Sequence, residues 1–424
     1  MSVKPSATLR CRRRRGSIYP AVLAYASLVT IIGLSALLAL RSQRRASEGE
    51  IDFSQARLHA HSAIEMGMWV IENNPAWRTT FPNGMWVENR SIGTGTYTLE
   101  GVDPNDGDLA DSNLHPLVLT GTAVQGPARH KTQVRLEPGI QPLGCIGVSL
   151  HAGANLTFDS AILRSDQTIS ANGRVDSINS SIVADVEAVT TINGTGYTGT
   201  TTTGIEPRSM PTSAAFDFYL DRGTLIAVFD MPISGSRVRL EKVVLSPASN
   251  PYAAETNPTG IYLIDCQGLD MEIRFCRIVG TLVLLNPGPD SIVKQSVNWE
   301  PAVKNYPALL VRGALAISLD PADLSEAATG VNFNPPGTPD EDDEDTDLDD
   351  TYSSKIKGLV YVAGDLTASL FNTFEGVVVV GGTLNATGDL DLDYKSVYFD
   401  DPPPGFFEVS RMRVVAGSWK QVVD

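Results

Sequence analysis

One stretch constrains this chain more than any other. Residues Ser17 to Leu40, SIYPAVLAYASLVTIIGLSALLAL, contain no charged side chain. As a helix rising 1.5 Å per residue they would extend about 36 Å, enough to cross a bilayer with some tilt. Lys4, Arg10, Arg12, Arg13, Arg14 and Arg15 precede the run with no acid among them. Arg41, Arg44 and Arg45 follow it. The heavier basic side normally stays cytoplasmic, so the remainder of the chain is expected outside the inner membrane. A cleaved secretory signal is the alternative, but its apolar core is shorter and ends in a small-residue site. The helical pattern continues beyond the span. Ile51, Leu58, Ile64, Met68 and Ile71 recur at near-helical intervals until Asn73-Asn74-Pro75 ends the run.

A basic leader ending in Gly16, an apolar helix and an amphipathic extension together resemble a type IV pilin-like protein. Within that group the chain resembles the PilX-type minor pilins and K-type minor pseudopilins. The resemblance covers about residues 10–75. It implies leader cleavage between Gly16 and Ser17, and packing of the helix against other pilin-like subunits. Ser17 stands where the family usually has a large apolar residue. Ala21 stands where most major pilins carry Glu, which the PilX and K-type relatives often lack as well. Gly33, Ser35 and Ala36 would allow close helix approach, with Leu28, Ile31 and Leu34 supplying apolar contact. Pro20 falls in the first helical turn, where its missing N–H does little harm.

Past Pro75 the texture is that of strands. Residues 95–101, 116–124 and 129–136 alternate apolar and polar side chains between Gly, Asn and Asp clusters. They predict a small antiparallel sheet over 76–138. From about Leu143 weak repeats appear. KGLVYVAGDLTAS (357–369) matches EGVVVVGGTLNAT (375–387) at an offset of 18, and GANLTFDSAIL (153–163) matches GRVDSINSSIV (173–183) at an offset of 20. Repeats of this length mark a right-handed parallel β-helix, a solenoid whose turns bury apolar residues against their neighbours. A β-sandwich is the competing reading. The expected fold is therefore α+β, mainly β. Its parts are a leader (1–16), a helix (17–75), an antiparallel region (76–138), a β-helix body (139–410) with an acidic insertion (337–354), and a tail (411–424). Pro211–Arg222 reads as a short helix interrupting the body, capped by Ser213 with Ala215, Phe218 and Leu220 on its apolar side.

Composition narrows the function. The formal net charge is −16, too acidic for a nucleic-acid binder, which needs a basic face to displace counterions. Nine of the eleven residues from Asp340 to Asp350 are acids. Asp343, Asp345 and Asp347 alternate as at the start of a calcium loop, but Leu348 and Ser354 occupy the places of its Gly and bidentate Glu. A solvated insertion is the competing and preferred reading. Cys266 and Cys276 flank a turn-like stretch, and either a bridge or buried free thiols would suit it. The histidines, His59, His61, His115, His130 and His151, show no metal spacing and read as structural or surface residues. Asp389, Asp391 and Asp393 alternate on one strand, and Asp265, Asp270 and Glu272 lie near one turn, with no acid/base pattern among them. No cofactor is expected. Two functions follow: a membrane-anchored pilin-like structural protein without enzymatic activity, or a membrane-tethered β-helix that binds or degrades glycans. The partners expected are the lipid bilayer, pilin-like subunits and, for the body, a surface or glycan ligand.

Overall fold

The computed structural model describes residues 18–252, 255–338 and 345–423. It contains a single long helix, α1 (Ile18–Asn73), of 56 residues. The helix stops where expected: Asn74 and Pro75 leave the helical path, and the Asn74 side chain accepts from the Ala76 N–H. The remaining architecture is mostly strand. It divides into two compact units, one of residues 18–139 with 409–423 and one of residues 140–408.

The first unit packs α1 on an antiparallel sheet of β1 (Gly84–Ile92), β2 (Gly95–Val102), β3 (Leu117–Gln125) and β4 (Ala128–Pro142), in that order. β2 shows a strict alternation of buried and half-buried residues, as a sheet with one covered face requires. The last segment of the chain is not the tail that its sequence suggests. Strands Phe407–Val414 and Lys420–Gln421 extend the sheet along β4.

The packing face of α1 matches expectation at Ile64, Met68 and Ile71 but not nearer the membrane-facing half. Ala56, Ala60, Ala63, Ile64, Gly67 and Ile71 are buried, while Ile51 and Leu58 are exposed. Close approach explains the choice of small residues. A Cβ on Gly121 of β3 would stand 2.2 Å from the Ala60 carbonyl oxygen, so the strand passes within backbone contact of the helix. Large side chains on that stripe would hold the two apart.

The second unit is built of parallel sheets. In the first, strands order as Thr201–Thr203, Val186–Ala188, Ile169–Ala171, Leu150–Ala152, Phe371–Val380, Lys355–Val362, Pro307–Arg312, Thr281–Leu285, Ile261–Asp265 and Thr224–Leu225. A second sheet follows the same order through Leu156–Asp159 and Leu384–Ala386. The chain thus enters in the middle, runs to one edge, crosses to the other edge, and returns to close beside its own start. Val378 pairs with Leu150 and Leu384 with Leu156 at this junction.

The expected 18-residue repeat is the observed register: Gly358 pairs Gly376, Val360 pairs Val378, Val362 pairs Val380, and Leu366 pairs Leu384. Gly376, at φ 153°, lies so close that a Cβ would meet the Gly358 carbonyl at 2.0 Å. The offset of 20 is corrected to 19. Leu150 pairs Ile169 and Leu156 pairs Val175, so buried Leu163 meets buried Ile182. A one-residue slip would send every side chain to the opposite face, and burial decides against it.

Strands such as Val377–Val380 are apolar at every position because both faces are covered. Val378 and Val380 face the interior cluster with Phe158, Trp299 and Leu384. Val377 and Val379 face a separate cluster with Phe216, Tyr219, Tyr398 and Phe406. The crossing segment supplies part of that cover. It holds a 3-10 turn Ser213–Phe216 and a helix Asp217–Arg222, and buries Ala215, Phe216 and Tyr219 rather than Phe218 and Leu220. Ser213 makes no capping hydrogen bond there.

Candidate functional site

The residues with the clearest functional geometry are on α1. From Ile18 to Ile51 every residue is exposed. Ile18, Leu23, Leu28, Ile31, Leu34 and Leu38 present between 55% and 78% of their surface. So wide an apolar exposure exceeds what water tolerates on a soluble chain. Three small hydroxyls in the span are satisfied locally. Ser27, Thr30 and Ser35 donate their hydroxyls to the carbonyls of Ala24, Ala26 and Ile31 at 2.9, 2.8 and 2.7 Å. In hydrocarbon each unpaired group would cost several kcal/mol, so this self-sufficiency is what a spanning helix needs. A Cβ built on Gly33 meets nothing within 4 Å, leaving a notch on this surface. The helix is long and apolar enough to cross a membrane. Gly16 and Ser17 lie outside the described residues.

A second arrangement lies in the β2–β3 connection. Asp103, Asp106, Asp111 and His115 bring one ligand atom each within 4.8 Å of one another. His115 Nδ1 is 3.1 Å from Asp103, 3.5 Å from Asp111 and 3.8 Å from Asp106. Arg78 closes over the loop, donating to the carbonyls of Leu109 and His115. The Asp108 N–H holds Asp106 below the usual carboxylate range. Desolvation, then the hydrogen bond that protonated Asp111 donates to Asp106, pushes Asp111 up. Three carboxylates and an imidazole are suitable donors for a divalent cation. The same groups also satisfy one another, since buried Asp103 is matched by His115 and by the Asn105 N–H. The sequence gives His115 no partner, because its partners stand up to twelve positions away and converge through turns.

The other expected residues are dispersed. Asp345 and Asp347 form two successive Asx turns, with the N–H of Asp347 and of Asp349 each donating to the aspartate two before it. Asp343 lies outside the described residues. Cys266 and Cys276, weighed as a bridge, are separate free buried thiols. Cys276 Sγ donates to the Leu240 and Arg274 carbonyls, and burial pushes its thiol up to about 12. Asp391 pairs with Arg164 at 2.9 Å and Asp393 with Lys395 at 2.6 Å, both exposed. Asp265 accepts from Asn286 and from the Gln267 N–H, and Asp270 from the Asp290 N–H.

Glu272 is the acid whose setting the sequence hides. It is 2% exposed, with Lys294 at 3.0 Å, Arg274 at 3.2 Å, Arg239 at 3.3 Å and Arg237 at 3.5 Å. Burial would raise its pKa, but the hydrogen bond and charge of Lys294, then Arg274 and Arg239, outweigh that and hold it low. Its role is to lock adjacent parallel strands together.

His151 is fully buried and its Nδ1 lies 2.7 Å from Ser170 Oγ. Burial, with Arg208 nearby, drives its pKa down to about 3. The unfolded chain takes up a proton near pH 6.5 while the folded chain does not, so stability falls as pH drops from 6.5 toward 3. This one group should remove about 2 kcal/mol between pH 7 and pH 5. Urea midpoints at the two pH values measure the drop, and His151→Gln should shrink it by that amount.

No protein-family model matches the chain, and no curated protein matches it. Among solved structures it is similar to the crystal structure of the competence-associated pilin ComZ from Thermus thermophilus. That likeness has 9% identity, covers 88% of this chain and 98% of that chain, and has a TM-score of 0.30. A superposition this loose defines no common fold.

Proposed function

We propose that this chain is a membrane-anchored, type IV pilin-like structural subunit of a bacterial envelope assembly, of the PilX-type minor pilin or pseudopilin kind. The observation that carries the reading is the division of α1. Its first half is exposed and apolar, and its second half is buried by small residues on an antiparallel sheet. A helix so divided suits two settings in turn, the inner membrane and a bundle of like helices, with Gly33, Ser35 and Ala36 giving close approach. The six basic residues before the span, against three after it, favour a cytoplasmic N-terminus and an external body. Residues 140–408 would then be displayed as a right-handed parallel β-helix, a reading supported by the same strand order in two parallel sheets. The work done is packing and display, without catalysis.

N-terminal sequencing of protein extracted from membranes tests this. A mature start at Ser17 is expected. Recovery as soluble periplasmic protein whose N-terminus begins after Leu40 would overturn it.

A further inference from the structure

The acidic insertion is fastened to the body at its base. Strand Leu324–Ser325 pairs antiparallel with Thr351–Tyr352, and Leu324 and Phe333 share a small core with Val244. From Gly313 to Ser354 the chain carries twelve acids and no Lys, Arg or His. A negative charge buried in this segment must therefore find its counter-charge outside it.

Glu326 is such a charge. Its side chain is wholly buried, at 0% exposure. One oxygen, Oε1, accepts the Phe333 N–H. The other, Oε2, has no hydrogen-bond partner among the described residues. Basic side chains do reach the segment, but at its carbonyls. Arg277 donates to the Phe333 carbonyl at 3.0 Å, and Lys242 to the Thr329 carbonyl at 3.1 Å. A buried carboxylate without a counter-charge is strongly destabilising.

A second carboxylate is held beside the first. The Asp350 carbonyl accepts the Glu326 N–H at 3.0 Å, and Asp350 Oδ2 accepts from Asn334 Nδ2 at 2.7 Å. Asn334 follows Phe333, so adjacent residues hold the two carboxylates. One turn further on, the Thr338 N–H donates to the Pro335 carbonyl. Thr338 is 2% exposed, and its Oγ1 also lacks a partner among the described residues. Carboxylates and a hydroxyl are hard oxygen donors, which suit calcium. Magnesium gives up its water reluctantly and demands near-ideal octahedral geometry, so a buried oxygen set favours the larger ion. The alternating acids are a poorer centre, because Asp347 and Asp349 are exposed.

We infer that the insertion binds one calcium ion at its base, with the Glu326 carboxylate as the anchoring ligand and Asp350 and Thr338 as further oxygen donors. The ion supplies the positive charge that the segment lacks. It fastens the insertion to the core of Val244, Leu324 and Phe333.

Isothermal titration of the full chain in detergent, after stripping with EDTA, tests this with calcium chloride as titrant and magnesium chloride as comparison. Calcium should bind with a Kd of about 0.1–1 mM, the range of sites in external modules. Calcium at about 10 mM should raise the melting temperature by about 3–5 °C over EDTA. Glu326→Gln keeps an acceptor for the Phe333 N–H and removes the charge. It should weaken calcium by about tenfold or more, abolish the melting shift, and melt no lower than wild type in EDTA. Asp350→Asn should weaken binding roughly tenfold, and Asp347→Asn should leave it within about twofold. Absence of calcium heat at millimolar concentration would overturn the inference, as would magnesium binding equally well. Calcium affinity unchanged in Glu326→Gln would place the ion elsewhere, at the Asp103–His115 cluster, and overturn it too. A Glu326→Gln protein that melts lower than wild type in EDTA would show that the chain itself compensates the carboxylate, with the same consequence.

Discussion

Leu384→Asp is expected to abolish cooperative folding of residues 140–408. Leu384 is fully buried and pairs with Leu366 on one side and Leu156 on the other. Its N–H donates to the Asn155 carbonyl at 2.9 Å, across the junction where the last passes of the chain close on the first. Without that junction the parallel sheets become two half-stacks with open edges, each a template for aggregation. An unpaired carboxylate there has no counter-charge and costs at least 3–5 kcal/mol, a large part of a stability of about 5–15 kcal/mol. Urea unfolding followed by fluorescence checks this, since Trp299 lies in the same core. Leu384→Met should shift the midpoint by less than about 1.5 kcal/mol. A Leu384→Asp protein with the wild-type midpoint would show that the two ends of the body fold independently.

The junction also marks the limit of what the sequence reveals. The match of Gly358 to Gly376 and of Leu366 to Leu384 is legible because those passes are successive and equally long, so glycines and aliphatics align by eye. The pass of Leu150–Ala152 and the pass of Ile169–Ala171 are successive too, but a shared glycine at Gly153 and Gly173 draws the eye to an offset one residue too long. Burial of Leu163 on Ile182 sets the true register, and burial is a property of the assembled sheets. The pairing of Val378 with Leu150 leaves no local signal at all, because the strands that meet are remote in the chain. Long-range pairing of this kind makes folding slow as well as hard to read.

The helix shows the same division. Its length and its end at Asn73 follow from charge-free composition and the Asn-Asn-Pro stop. Its packing face follows only in part, through Ile64, Met68 and Ile71. Periodicity favours Ile51 and Leu58, yet the sheet selects Ala56, Ala60 and Ala63, because Gly121 lets β3 approach the backbone. The Asp103–His115 cluster was hidden for a related reason. Its members share no helical or strand period and converge only through consecutive turns.

Ile31→Arg with Leu34→Arg should release the protein from the membrane. Both side chains are about 60% exposed on α1, near the middle of the uncharged run. Three residues apart, they share one helix face, so neither charge can be sheltered by turning the helix. Each arginine at the centre of a span costs about 2.5–3.5 kcal/mol on insertion scales. Together they remove roughly 6 kcal/mol, a ten-thousandfold change in partition, since each factor of ten is about 1.4 kcal/mol. Snorkelling recovers little, because Ile31 and Leu34 stand about two turns or more from either basic flank. The fold outside the span should survive, since no residue from Ile18 to Ile51 is buried. Carbonate extraction of membranes, followed by immunoblotting of pellet and supernatant, reads the result. The wild-type chain stays in the pellet and the double variant moves to the supernatant or is degraded. Retention of the double variant in the pellet would place the anchoring elsewhere in the chain and remove the basis for a spanning α1.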